Sequence, residues 1–150
     1  MDKTFISNAA ISGSPIPSSW LYCFNANCPR KDDCVRYRST CAIQKGQTTG
    51  YTVYPTALRH DATCPHFKQL QVIHTAWGFG TMFDEVKAKD APLLRSLIKH
   101  YLGGNGSYYN YHHGRRHLSP EQQEWIKQLF KRFGYTNAEF DFSQEEIDLL

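Results

Sequence analysis

The sequence predicts a small α+β protein: a loop-rich, metal-stapled N-terminal part, a few short strands, two main helices and a short C-terminal helix. Three observations carry this. The five cysteines, Cys23, Cys28, Cys34, Cys41 and Cys64, all fall in loop-like sequence before residue 68. Two later segments have apolar stripes of helical period, each framed by a cap and a stop. Elsewhere the apolar runs are short and bounded by Pro or Gly, as in short strands. At 150 residues the chain fits one domain, or one with a small satellite. Nine Phe, nine Tyr and three Trp exclude wholesale disorder.

In chain order, residues 1–18 are rich in Ser, Asn, Ala and Pro and read as a mobile arm ending at Pro15-Ile16-Pro17. Residues 19–150 read as one domain in three parts: a Cys-rich metal-binding part over 19–68, a strand and helix core over 69–135, and an acidic segment over 136–150. Tyr51-Thr52-Val53-Tyr54 is a short strand stopped by Pro55, and Leu70–Ala76 is a second. The run from Trp77 to Phe83, with Gly78 and Gly80, is a turn into a short helix. Its Gly-x-Gly spacing lacks the third glycine and helix cap of a phosphate loop, so it reads as a packing turn.

The first main helix takes Asp90 as its cap and Pro92 in its opening turn, and buries Leu94, Leu97, Ile98, Tyr101 and Leu102. Gly103-Gly104 ends it. The segment from Tyr108 to His112 reads as extended, with a turn at Gly114, because tyrosine suits a half-buried pleated strand. The second main helix opens on Ser119-Pro120-Glu121-Gln122, with a Ser cap, Pro at the first helical position and a capping-box Gln. Its stripe is Trp125, Ile126, Leu129, Phe130 and Phe133, and Gly134 stops it. A Ser-x-x-Glu pattern from Ser143 to Glu146 predicts the short terminal helix.

No run of eighteen apolar residues is present, so no membrane helix is expected. The first residues lack a charged stretch followed by an apolar one, and a cytoplasmic location is expected. There thiols stay reduced, and clustered cysteines bind metal more often than they pair. Cys23-x4-Cys28-x5-Cys34, with Cys64-Pro65-His66 returning later, offers five thiols and one imidazole for a four-donor zinc site. Cys41 fits the spacing almost as well as Cys64, and His66 is a nitrogen alternative. A [4Fe–4S] cluster is the other cofactor that four thiolates suit, and Cys-Pro pairs such as Cys28-Pro29 and Cys64-Pro65 accord with it.

A resemblance extends this. Trp20-x-x-Cys23-x-Asn25-x-x-Cys28-Pro29-x4-Cys34-x-Arg36, then Tyr54-Pro55 and Cys64-Pro65-x-Phe67, then Tyr108-Tyr109, Gly114-Arg115 and Leu118-Ser119-Pro120-Glu121-Gln122-Gln123 resemble an uncharacterised bacterial domain family common in Bacteroidetes. The similarity covers nearly the whole chain after the arm and implies no activity. It implies that Cys23, Cys28, Cys34 and Cys64 are the ligand set, with Cys41 and His66 left as supporting or alternative residues.

Residues 136–150 hold five acidic side chains and no Lys or Arg, so residues 1–135 carry seventeen basic against nine acidic side chains, or +8. A basic body of this kind suits an anionic partner such as nucleic acid. Tyr109, Tyr111, His112, His113, Arg115, Arg116 and His117 supply aromatic and basic groups suited to bases and phosphates. The plainer reading makes the tyrosines core residues of a strand and the basic residues a surface turn. No acid–base pair or nucleophile with an orienting partner stands out, so an enzyme is the least supported class. A metal-stapled binding module associated with nucleic acid, a protein-interaction adaptor and an iron–sulfur redox or sensor protein are the classes that remain.

Overall fold

The computed structural model of the protein describes residues 6–149; the first five positions of the expected arm, and Leu150, lie outside the described residues. The described chain is α+β, with five α-helices and a few short strands. It divides into two compact units, one of residues 1–73 and 145–150, the other of residues 74–144. Among the described residues no helix is long and apolar enough to cross a membrane.

In the first unit, α1 (Asn8–Ser12) is followed by β1 (Leu21–Cys23), α2 (Val35–Arg38) and β2 (Tyr51–Val53). The strands β1 and β2 pair in parallel, Leu21 against Tyr51, Tyr22 against Thr52 and Cys23 against Val53. Pro55 ends the second strand as expected, opening a 3-10 turn. The core gathers Ile11, Trp20, Tyr22, Val35, Leu70 and Ile147. Residues 6–18 of the expected arm carry structure of their own in this unit. Ser7 caps α1, Ile11 is fully buried, and the Arg38 guanidinium donates to the carbonyl of Ile6 at 2.6 Å. Ile6, Ile11 and Ile16 are spaced five apart and give no helical or strand period to read, yet burial of Ile11 removes a full aliphatic side chain from water.

β3 (Val72–Trp77) and β4 (Phe142–Ile147) form a second two-stranded sheet. β4 replaces the short helix predicted from Ser143 to Glu146. The capping-box pattern is local, and pairing with a strand from far earlier in the chain, together with burial of Glu146 and Ile147, overrides it.

The second unit is built on α3 (Ala91–Tyr101), α4 (Asn105–His112) and α5 (Pro120–Arg132). Leu94 and Ile98 of α3 are fully buried, and Tyr101 stacks on Trp125 of α5 at 3.7 Å between centroids. Asp90 precedes α3 but does not cap it; its carboxylate accepts from the Tyr135 hydroxyl at 2.6 Å, and it raises the tyrosine's pKa by stabilising the neutral phenol. Gly103 and Gly104 end the helix with φ of 96° and 123°, as only glycine does freely.

The segment predicted as extended is helical. Tyr108, Tyr111 and His112 lie three and four residues apart, so one helical face turns both tyrosines into the core, where they are nearly inaccessible. Burial of that face outweighs the β preference of tyrosine. α5 follows the sequence reading closely: Ser119 Oγ accepts from the Gln122 amide, Gln122 Oε1 accepts from the Ser119 amide, and Ile126, Leu129 and Phe130 face the core. Ser119→Ala is expected to cost about 1 kcal/mol. Urea denaturation followed by circular dichroism measures it, and an unmoved midpoint would show that this box contributes nothing.

The Gly78–Thr81 turn is occupied by a side chain of the same unit. Asp141 accepts from the amides of Gly80 and Thr81 at 2.9 and 2.7 Å. A Cβ on Gly78, where φ is 85°, would meet the Asp141 carboxylate at 2.6 Å, so both the turn and the close approach require glycine. Burial pushes the Asp141 carboxyl up, but the Thr81 hydroxyl, the two amides and nearby His112 more than offset this and hold it below its ordinary value. The turn is thus a packing device, as its sequence suggests.

Candidate metal centre and basic face

Four of the five cysteines sit on four separate segments of the first unit, and Cys41 lies in the 3-10 helix Ser39–Ala42. In β1 the side chains alternate, so Tyr22 enters the core while Cys23 points to the opposite face, next to Val53 in register. Cys28 closes a turn in which its amide donates to the Asn25 carbonyl, while the Asn25 side chain accepts from Asn27. Cys34 precedes α2 with extended backbone and bridges Gln69, which draws the later chain alongside. Cys64 starts the turn that the Phe67 amide closes on its carbonyl.

Two arginines tie these segments together. Arg36 donates to the carbonyls of His66 at 2.8 Å and Leu21 at 3.2 Å, and its guanidinium lies 4.7 Å from the Trp20 ring. It thereby joins α2, β1 and the Cys64 turn. Arg30, two residues after Cys28, lies 3.4 Å from the centre of the Phe67 ring and joins the Cys28 and Cys64 turns. Trp20, Arg36 and Phe67, which accompany the cysteines in the sequence pattern, take part in these ties, while Asn25 shapes the Cys28 turn.

The outcome is a cavity of about 30 Å³ onto which Cys23, Cys28, Cys34 and Cys64 all open, with Arg30 and Arg36 in its wall. That is room for one water-sized ion. His66 also lines it, whereas Cys41 does not: its exposed thiol lies 3.9 Å from both Ser12 Oγ and the Asn8 carbonyl oxygen. All five cysteines are free thiols. As the side chains stand, no group of three or more His, Cys, Asp or Glu among the described residues is arranged so that it could hold a metal ion.

The residues read as a nucleic-acid site divide into an inner and an outer set. Tyr111 is buried. His112 Nδ1 accepts from the Phe79 amide at 3.1 Å, and the two rings stack. His117 stacks on Trp77 at 4.1 Å, with its Nε2 3.1 Å from the Gly114 carbonyl oxygen. These three belong to the packing of the second unit. Tyr109, His113, Arg115 and Arg116 are exposed. Lys99, from α3, joins them: its ammonium lies 5.3 and 5.5 Å from the Tyr108 and Tyr109 ring centres. No motif marks Lys99 in the sequence, because its place depends on how α3 and α4 pack.

No curated protein and no solved structure shows significant similarity to this chain. A family model matches residues 1–149, and the chain belongs to the family of unknown function DUF6078.

Proposed function

We propose that the protein is a small binding module whose first unit is stapled by one structural zinc ion, held by Cys23, Cys28, Cys34 and Cys64. The observation that supports this best is that these four thiols, and not Cys41, open onto one cavity with room for a single ion. Closing the ligand set requires the thiols to turn among their staggered χ1 positions, since four sulfurs must come to about 2.3 Å from the ion. Four thiolates around Zn²⁺ leave two negative charges, and Arg30 and Arg36 stand in the wall to offset them. A site with four protein donors leaves no open position for substrate, so the metal organises the fold and function lies in binding. Free thiols of this kind suit a reducing compartment such as the cytoplasm.

Elemental analysis of anaerobically purified protein tests this. About one zinc per chain and a colourless solution are expected. Iron with acid-labile sulfide would establish the cluster instead, and protein free of both metals would end the metal reading.

A further inference from the structure

We infer that the exposed end of α4 binds single-stranded nucleic acid, with Tyr109 stacking on a base and Lys99, Arg115 and Arg116 meeting phosphates. The inference goes beyond the zinc reading and rests on the second unit alone.

From Ala91 to Pro120 the chain has no acidic residue, against four Arg or Lys and four of its seven histidines. The structure sorts these. Helical period sends Tyr108 and Tyr111 inward and leaves Tyr109 outward with 42% of its surface exposed. The Lys99 ammonium stands 5.5 Å from that ring, and the His113 ring lies nearly parallel to it at 6.0 Å and 20°. The arginines are displayed from a fixed turn. The amides of Arg115 and Arg116 both donate to the Asn110 carbonyl, at 2.9 and 3.1 Å, which sets them beside the residue that follows Tyr109. Gly114, with φ of 77°, packs so closely on the Trp77 indole that a Cβ would lie 2.8 Å from its Nε1, so this turn requires glycine.

The Arg116 guanidinium lies 5.0 Å from the Tyr111 ring, on the turn that follows Tyr109. An exposed ring with one cation beside it and two arginines on the next turn suits an unstacked base and its phosphates, and it is sequence-tolerant because every base has a π-face. A duplex keeps its bases stacked, so it offers this ring no free base face. The preference for single strands is therefore carried by Tyr109 and the salt dependence by the cations. An acidic protein segment would engage the cations and gain nothing from base stacking.

The test is fluorescence anisotropy of the whole protein with a labelled oligothymidylate, a duplex of equal length and labelled polyglutamate, over a salt series. The oligothymidylate should bind at low salt and more tightly than either other probe. Replacing Arg115 and Arg116 together by alanine should weaken binding and flatten the slope of log affinity against log salt by roughly 1.4, at about 0.7 per phosphate of a single strand. Tyr109→Ala should weaken oligothymidylate binding roughly tenfold and leave the slope unchanged, and Tyr109→Phe should restore it. Unchanged melting temperatures confirm that the variants are folded, and zinc measured in the same preparations separates failure here from failure of the metal reading. Absent binding at low salt, equal binding of the duplex or polyglutamate, or a Tyr109→Ala variant that binds like wild type would each overturn the inference.

Discussion

Cys28→Ser is expected to abolish zinc binding and to unfold the first unit, while Cys41→Ser leaves both metal content and melting temperature close to wild type. The contrast follows from position. Cys28 opens onto the cavity shared with Cys23, Cys34 and Cys64, whereas Cys41 is exposed and outside it. In the zinc reading, the segments carrying these thiols are short: β1 has three residues and α2 four. Elements of that size bury little and are not stable alone. The free energy of a structural zinc, about 10–16 kcal/mol in small peptides at neutral pH, then becomes folding free energy. A Ser hydroxyl is a poor ligand for Zn²⁺, so one substitution forfeits most of this. Chelation of the wild-type metal should reproduce the effect. The measurements are metal content and thermal melting by circular dichroism. Equal zinc in wild type and Cys28→Ser would refute the ligand set, and equal damage from Cys41→Ser would show that the wrong thiols were chosen.

What the sequence made legible in this site, and what it hid, follows from the range of the interactions. Spacing alone left Cys41 and His66 open beside the other four cysteines, and the resemblance supplied the choice. In the structure Cys41 lies outside the shared cavity, in a short 3-10 helix just after α2, next to Ser12 and Asn8. α5 was readable throughout, because its cap, its opening Pro, its stripe and its terminal Gly134 are all set within one stretch of chain. Asp90 stands at the N-cap position of α3, but its carboxylate accepts from Tyr135, a partner 45 residues later that no local rule reveals. The same holds for β4, whose local helix signal loses to pairing with β3. α4 was misread for a different reason. Tyr109 and Tyr111 alternate as in a strand, while Tyr108 and Tyr111 have helical spacing. Only the neighbours that bury Tyr108, Phe79 at 4.7 Å and Lys99 above its ring, decide between the two. Burial raises the pKa of this tyrosine, which Arg95 partly offsets.

Phe130→Ala is expected to cost roughly 3–5 kcal/mol, the largest loss from any single core truncation in α5. Its ring is fully buried, and it meets Phe83 edge-on at 5.4 Å between centroids and Tyr135 at 6.4 Å. Three rings from three segments thus converge at the C-terminal end of the helix. The Phe130 carbonyl also accepts from the Tyr135 amide, which brings the chain back after Gly134. Truncation removes the transfer free energy of the ring and opens a cavity that two aromatic neighbours cannot fill without leaving their rotamers. Domains of this size are stabilised by about 5–15 kcal/mol in total, so the loss takes a large share and should lower the melting temperature by roughly 6–20 °C. Trp125→Ala on the same helix is the informative companion. Trp125 is only partly buried, and its main partner, Tyr101, is 37% exposed, so the indole is the rim of the stripe and Phe130 its centre. Its truncation should cost less. The rank order, read from urea midpoints of the two variants, reports which face of α5 meets the core. An unchanged Phe130→Ala protein, or one more stable than Trp125→Ala, would mean that this helix turns its apolar stripe toward something other than the second unit.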